Sequence, residues 1–208
     1  MASEKTPLTT VAHLISDLFA PLLIPTYAML IAIFATRLAF VYLSVRLWST
    51  AGVFIITAMI PFALIWTLIR MGKVTDTSIS DRNQRFIPYT ASVLCYLGAA
   101  LYLWRLNAPG WLIAFFIGAA LVSVFSMIIT RWWKISAHVG ATGGLCAALF
   151  FMAWKHILIH TPLMWVSLGF ILVGAMAWAR LYLERHTLMQ TLAGAVLGFA
   201  VVFLTLCF

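Results

Sequence analysis

Lys73 and Arg82, then Ser136 and His138, then Arg180, His186 and Gln190 stand in a chain of which only 9% of the residues are charged. Ammonium, guanidinium, hydroxyl and imidazole groups, with no paired carboxylates and no Cys/His cluster at ligand spacing, suit chemistry on an anion better than metal-assisted hydrolysis. Phosphate is the natural anion. Arginine offers its oxygens a planar fork of donors and lysine a point charge, and a helix that starts near His138 turns backbone N–H groups the same way. Phosphoryl transfer then needs a nucleophile and a proton donor for the leaving group, roles that a pair of imidazoles can divide.

The elements that must position these groups are legible from composition. Of the 208 residues, 64% are hydrophobic and 9% charged, where a soluble domain is about one-quarter charged. The expected fold is an all-α, polytopic transmembrane helix bundle forming a single integral membrane domain over 1–208. Uncharged runs such as 49–69 and 110–130 have about the 20 apolar residues that a hydrocarbon core requires of a helix. Further spans are predicted near 18–40, 89–105, 138–154, 162–179 and 189–207, giving six or seven. The first is the exception: Pro21 and Pro25 sit in its opening turns and Arg37 near its end, so it is kinked, re-entrant or a span whose arginine snorkels. The polar stretches 70–88, 131–138 and 180–186 are each separated by two spans. An even number of crossings brings all three to one face of the membrane.

Other readings of the charge are weaker. The formal net charge is +8, yet there is no basic tail and no interleaved aromatic and basic surface, so nucleic acid is not an expected partner; membrane surface and phosphate are. Cys95, Cys146 and Cys207 lie in apolar runs without CxxC pairing, which indicates neither a metal site nor a disulfide framework. The N-terminal stretch lacks a small-residue cleavage site after a short apolar core and is expected to be retained. On the face of the three polar stretches stand Lys5, Arg70, Lys73, Arg82, Arg85, Arg131, Lys134, Arg180 and Arg185, against Arg37, Arg46, Arg105 and Lys155 opposite. The positive-inside rule taken literally makes that face cytoplasmic, but once the suspected phosphate ligands are removed the two faces are nearly balanced.

The order Lys73 with Arg82, then Ser136-Ala137-His138, then Arg180 and His186 with five residues between, resembles the three signature motifs of the type-2 phosphatidic acid phosphatase superfamily, over a core of about 70–200. The resemblance implies a lipid phosphate phosphatase in which His186 attacks phosphorus and forms a phosphohistidine while His138 protonates the departing alcohol. It also implies that Lys73, Arg82 and Arg180 hold the phosphoryl oxygens and that Ser136 adds a hydrogen bond. No metal and no other cofactor is implied, and the site is expected on the periplasmic side of a bacterial inner membrane. The substrate would be a phosphomonoester or diphosphate of a membrane lipid.

The motifs depart from the family pattern at several places. Eight residues instead of six separate Lys73 from Arg82, and the proline follows only in "RFIP", so Arg85 is an alternative to Arg82. Ile135 replaces a proline, Ala137 a glycine and Ala179 a serine. Gln190 stands where the family has the aspartate that orients the nucleophilic histidine. Four residues apart on a helix, His186 and Gln190 share a face, and the amide oxygen can accept from a ring nitrogen without stabilising an imidazolium as a carboxylate does. A weak or inactive lipid-phosphate binder, and a phosphotransferase acting on another acceptor, are therefore alternative expectations.

Several of these residues also have structural readings. Thr187-x-x-Gln190 fits a helix capping box. Arg131, Lys134, Arg185, Trp132 and Trp133 read as interfacial anchors, and His156 and His160 as solvated loop residues on the far face. Gly140 with Gly144, and Gly194 with Gly198, have the spacing of close helix packing. Asp17 reads as a solvated helix end in preference to a buried partner of a site arginine.

Overall fold

Apolar runs long enough to cross a bilayer become helices, because hydrocarbon leaves backbone N–H and C=O groups no partner but each other. The computed structural model describes residues 6–72, 86–159 and 161–208. Nine α-helices follow in order among them: α1 (Pro7–Leu18), α2 (Ile24–Ala35), α3 (Leu43–Phe54), α4 (Ile60–Arg70), α5 (Phe86–Arg105), α6 (Gly110–Thr130), α7 (Ala137–Trp154), α8 (Pro162–Tyr182) and α9 (Leu188–Cys207). A π turn over Ile55–Met59 joins α3 to α4, so that Leu43–Arg70 runs as one 28-residue helix. With α5 to α9 it makes six helices long and apolar enough to span a membrane. The chain is an all-α polytopic membrane protein.

The first expected span is not one. Between 18 and 40 the chain forms the end of α1, a turn, and α2, whose 12 residues reach only ~18 Å at 1.5 Å per residue. Pro21 and Pro25 remove amide donors where a continuous helix would need them, and Thr36 is extended at φ −118°, ψ −179°, which ends α2. Side chains from elsewhere take up carbonyls freed at the break: Tyr27 Oη donates to Leu18 O at 2.7 Å and Tyr96 Oη to Pro21 O at 3.3 Å. At its far end Ala35 O accepts from Ile159 N–H at 2.9 Å. Thus α2 packs as a short core piece from the α1–α2 turn to the α7–α8 connection.

The π turn has a local cause. Pro61 carries no N–H, and its ring would press on the carbonyl four residues back in a regular helix. The helix widens by one residue instead, and Ile60 N–H bonds to Ile55 O.

At the centre stands α7, of which 67% of the membrane window is buried inside the protein. Its closest partner is α9, and small residues set the distance. A methyl group built on Gly198 would overlap the Gly140 carbonyl, one on Gly194 would lie 2.6 Å from Ser136 O, and one on Gly143 2.6 Å from Ala195 O. The packing reading of Gly194 and Gly198 holds. On α7 the tight position is Gly143, since a methyl on Gly140 would meet Gly194 O at an ordinary 3.5 Å.

Candidate active site

The stretch between α8 and α9 is built by the way α8 ends. Arg185 N–H donates to Arg180 O at 3.1 Å and Glu184 N–H to Leu181 O at 2.9 Å, the paired bonds of a Schellman turn. Glu184 occupies the left-handed position, φ 52°, at a cost of ~1–2 kcal/mol for a residue with a Cβ. The turn folds the chain back within a few residues, so Arg180 in the last turn of α8 and His186 just beyond it face the same cavity. This is the physical meaning of the five-residue spacing between them.

His186 is 7% exposed. Its Nδ1 lies 3.1 Å from Gln190 Oε1, and Thr187 N–H donates to that same oxygen at 3.2 Å. The Thr187 N–H identifies that atom as the amide oxygen, an acceptor, so Nδ1 is the ring nitrogen that donates to it, and in the neutral ring Nε2 holds the lone pair. The capping box of Thr187 and Gln190 is formed. Capping the helix and orienting the ring are therefore one arrangement, in which a single amide oxygen serves both.

His138 lies in the first turn of α7, with Ser136 as the N-cap. Ser136 is 1% exposed and its Oγ accepts from Val139 N–H at 3.5 Å, while its own N–H donates to Gln190 O at 3.3 Å. The hydroxyl thus caps α7, and the cavity is lined at this point by Ala137 and His138. The positive end of α7 faces it.

The cavity has a volume of about 430 Å³ and brings Asp17, His138, Arg180 and His186 together. Phe54, Met59, Phe62 and Ile65, from the π-interrupted helix, form an apolar wall, and Pro88 and Tyr89 line it from the first turn of α5. Helix ends carrying two of the three predicted polar stretches therefore meet at one place, as parity requires. Lys73, Arg82 and Arg85 of the first motif lie outside the described residues, as does His160. Asp17 is exposed, in keeping with a solvated helix end, and is also among the residues that line the cavity. Arg131, Trp132 and Trp133 are exposed, in keeping with an anchoring role. Among the described residues no group of three or more His, Cys, Asp or Glu side chains is placed to hold a metal ion.

Sequence reasoning missed Ser16. Its Oγ accepts a hydrogen bond from Arg180 Nη1 at 2.8 Å, and both residues are 3% exposed. The signal was present in Thr6-Pro7, an N-cap followed by proline that announces a helix, but a search for membrane-length apolar runs passes over so short an element.

No curated protein and no solved structure matches the chain. The family model of the PAP2 superfamily matches residues 130–208, the segment that holds α7, α8 and α9 with His138, Arg180 and His186. Similarity to that superfamily suggests phosphatase-type activity on phosphate esters. Over residues 130–208 the chain is similar to the PAP2 superfamily, the type-2 phosphatidic acid phosphatase superfamily that the order of the motifs resembles.

Proposed function

We propose that this protein is a lipid phosphate phosphatase working through a phosphohistidine. The observation that carries the reading is the composition of the cavity: its lining joins both imidazoles and the Arg180 guanidinium to apolar side chains of Phe54, Met59, Phe62 and Ile65. A phosphate ester whose tail stays in the bilayer has that division of polar and apolar surface. Nε2 of His186 attacks phosphorus as the bond to the leaving oxygen breaks, and His138 gives that oxygen its proton. Water then attacks the phosphohistidine and loses a proton to His138, which restores both rings. Arg180 holds the phosphoryl oxygens through the step, joined by Lys73 and by Arg82 or Arg85 from the first motif. Ser136 supports the site through the N-terminus of α7. By the family resemblance the site face is the periplasmic face of a bacterial inner membrane.

A panel of lipid phosphates and their water-soluble headgroup esters, given to the purified protein in detergent micelles, tests the proposal. Phosphate release is expected from the lipid substrates at a kcat/KM well above that of the soluble esters. Equal values would remove the lipid part of the reading. One observation favours a second reading: Gln190 in place of a carboxylate beside His186 suits a binder that holds lipid phosphate without turning it over. Saturable phosphate binding without release, and without a phosphoenzyme, would select it.

A further inference from the structure

The helix α1 lies outside both the matched segment and the motif core, yet it reaches the candidate site. Its side chains divide into three arcs at ~100° per residue. Leu8, Val11, Leu14 and Leu18 are exposed along one, and Ala12 and Ser16 are buried along the next, where α1 packs on α8. Thr9, His13 and Asp17 follow on the polar side, with Asp17 at the cavity. Both ends are fastened, by a 3.1 Å hydrogen bond between Thr6 Oγ1 and Tyr182 Oη and by the bond from Tyr27 Oη to Leu18 O. A short helix with an exposed leucine row beside a polar arc has the pattern of a helix that lies in the interface plane with its apolar arc toward the acyl region. So seated, it delivers the Ser16 hydroxyl to Arg180.

An arginine side chain has four rotatable bonds, and burial alone does not choose which way its fork points. The 2.8 Å bond from Nη1 to Ser16 Oγ restricts that choice. We propose that Ser16 is a positioning residue of the phosphate site: from an interfacial helix it sets the Arg180 guanidinium against the phosphoryl group. The proposal rests on the reading of Arg180 as a phosphate ligand.

The full-length protein in micelles is tested with inorganic phosphate as the probe, by calorimetry, and with a lipid phosphate substrate for KM and kcat. Ser16→Ala favours the helix and is expected to melt like the wild type. It should weaken phosphate binding about tenfold, raise KM similarly and leave kcat less affected. Ser16→Cys, of similar shape but with a weaker acceptor, should fall between, and Ser16→Thr should restore most of the affinity. Arg180→Ala should cost more than Ser16→Ala, and the double variant no more than Arg180→Ala alone, since Ser16 acts only through Arg180. If Arg180→Ala loses phosphate while Ser16→Ala binds it like the wild type, or if the two losses add, the positioning role is overturned and the phosphate site stands. If Arg180→Ala itself leaves phosphate binding unchanged, the phosphate-site reading falls, and the role of Ser16 with it.

Discussion

Gln190 Oε1 stands 3.1 Å from His186 Nδ1 and also receives the Thr187 N–H, so the residue that starts α9 also fixes the tautomer of the candidate nucleophile. A carboxylate at the same point would do both and, in addition, stabilise the positive charge that the ring develops on attacking phosphorus. Aspartate is the residue that the family pattern suggests, and it is one methylene shorter than glutamine. Glutamate matches glutamine atom for atom. Gln190→Glu is therefore expected to preserve the cap and raise the rate of phosphoenzyme formation by roughly 10- to 100-fold, within the range that such carboxylates supply. Rapid-quench measurement of a single turnover reads it directly. An unchanged rate in a folded, phosphate-binding variant would show that the amide already does all that this position can do.

The two histidines should separate by leaving group. His186→Ala is expected to abolish the trapped phosphoenzyme and all turnover, whereas His138→Ala should recover part of its activity, by about two powers of ten or more, on an aryl phosphate whose leaving oxygen needs no proton. Comparing both variants on an alkyl and an aryl ester measures the difference. Identical residual activity on both substrates would refute the division of roles.

The glycine contacts between α7 and α9 predict a graded cost. Gly198→Ala drives a methyl into the Gly140 carbonyl, and backbone cannot step aside as a side chain can, so ~1–3 kcal/mol of destabilisation is expected. Gly174, with nothing within 4 Å of the added methyl, is the control, and Gly174→Ala should melt at or slightly above the wild type. Thermal melts in detergent compare them. Because a methyl on Gly194 would lie 2.6 Å from Ser136 O, Gly194→Ala should also lower activity, by pushing α7 with His138 away from α9, whose Gln190 holds His186.

Sidedness is testable without any assumption about chemistry. In a background lacking Cys95, Cys146 and Cys207, single cysteines at Arg70, Trp132 and Glu184 are expected to react with an impermeant maleimide from the periplasmic side. Cysteines at Asn107 and His156 should react only once the membrane is opened. Labelling of Arg70 and Glu184 from opposite sides would dismantle the shared site, and labelling of all three from the cytoplasm would invert the topology.

How far the sequence could be read depends on the range of the interaction. The spans were legible because length and apolarity are local, cumulative properties, and the meeting of His138, Arg180 and His186 because parity and a five-residue turn are arithmetic on those spans. The capping box was legible too, since Thr187 and Gln190 are three residues apart. What could not be read depended on distant partners. The bond from Arg180 to Ser16 joins residues 164 apart, and a serine gives no local sign of where its hydroxyl will find a donor. Likewise the run 49–69 reads as one span, and nothing local says whether its Pro61 kinks or widens the helix, because that is decided by what packs on either side.

The π turn over Ile55–Met59 sits where the apolar wall meets the cavity, with Ala58 and Met59 on the lining. An extra residue wound into a helix rotates everything beyond it relative to what came before, so the wall behaves as two panels set at an angle and not as one flat board. Substitutions near the turn can therefore reshape the apolar side of the cavity without touching a histidine or residues 130–208. The candidate site's polar groups and its apolar wall thus stand on separate stretches of the chain: His138, Arg180 and His186 lie within residues 130–208, and the seam between α3 and α4 lies outside them.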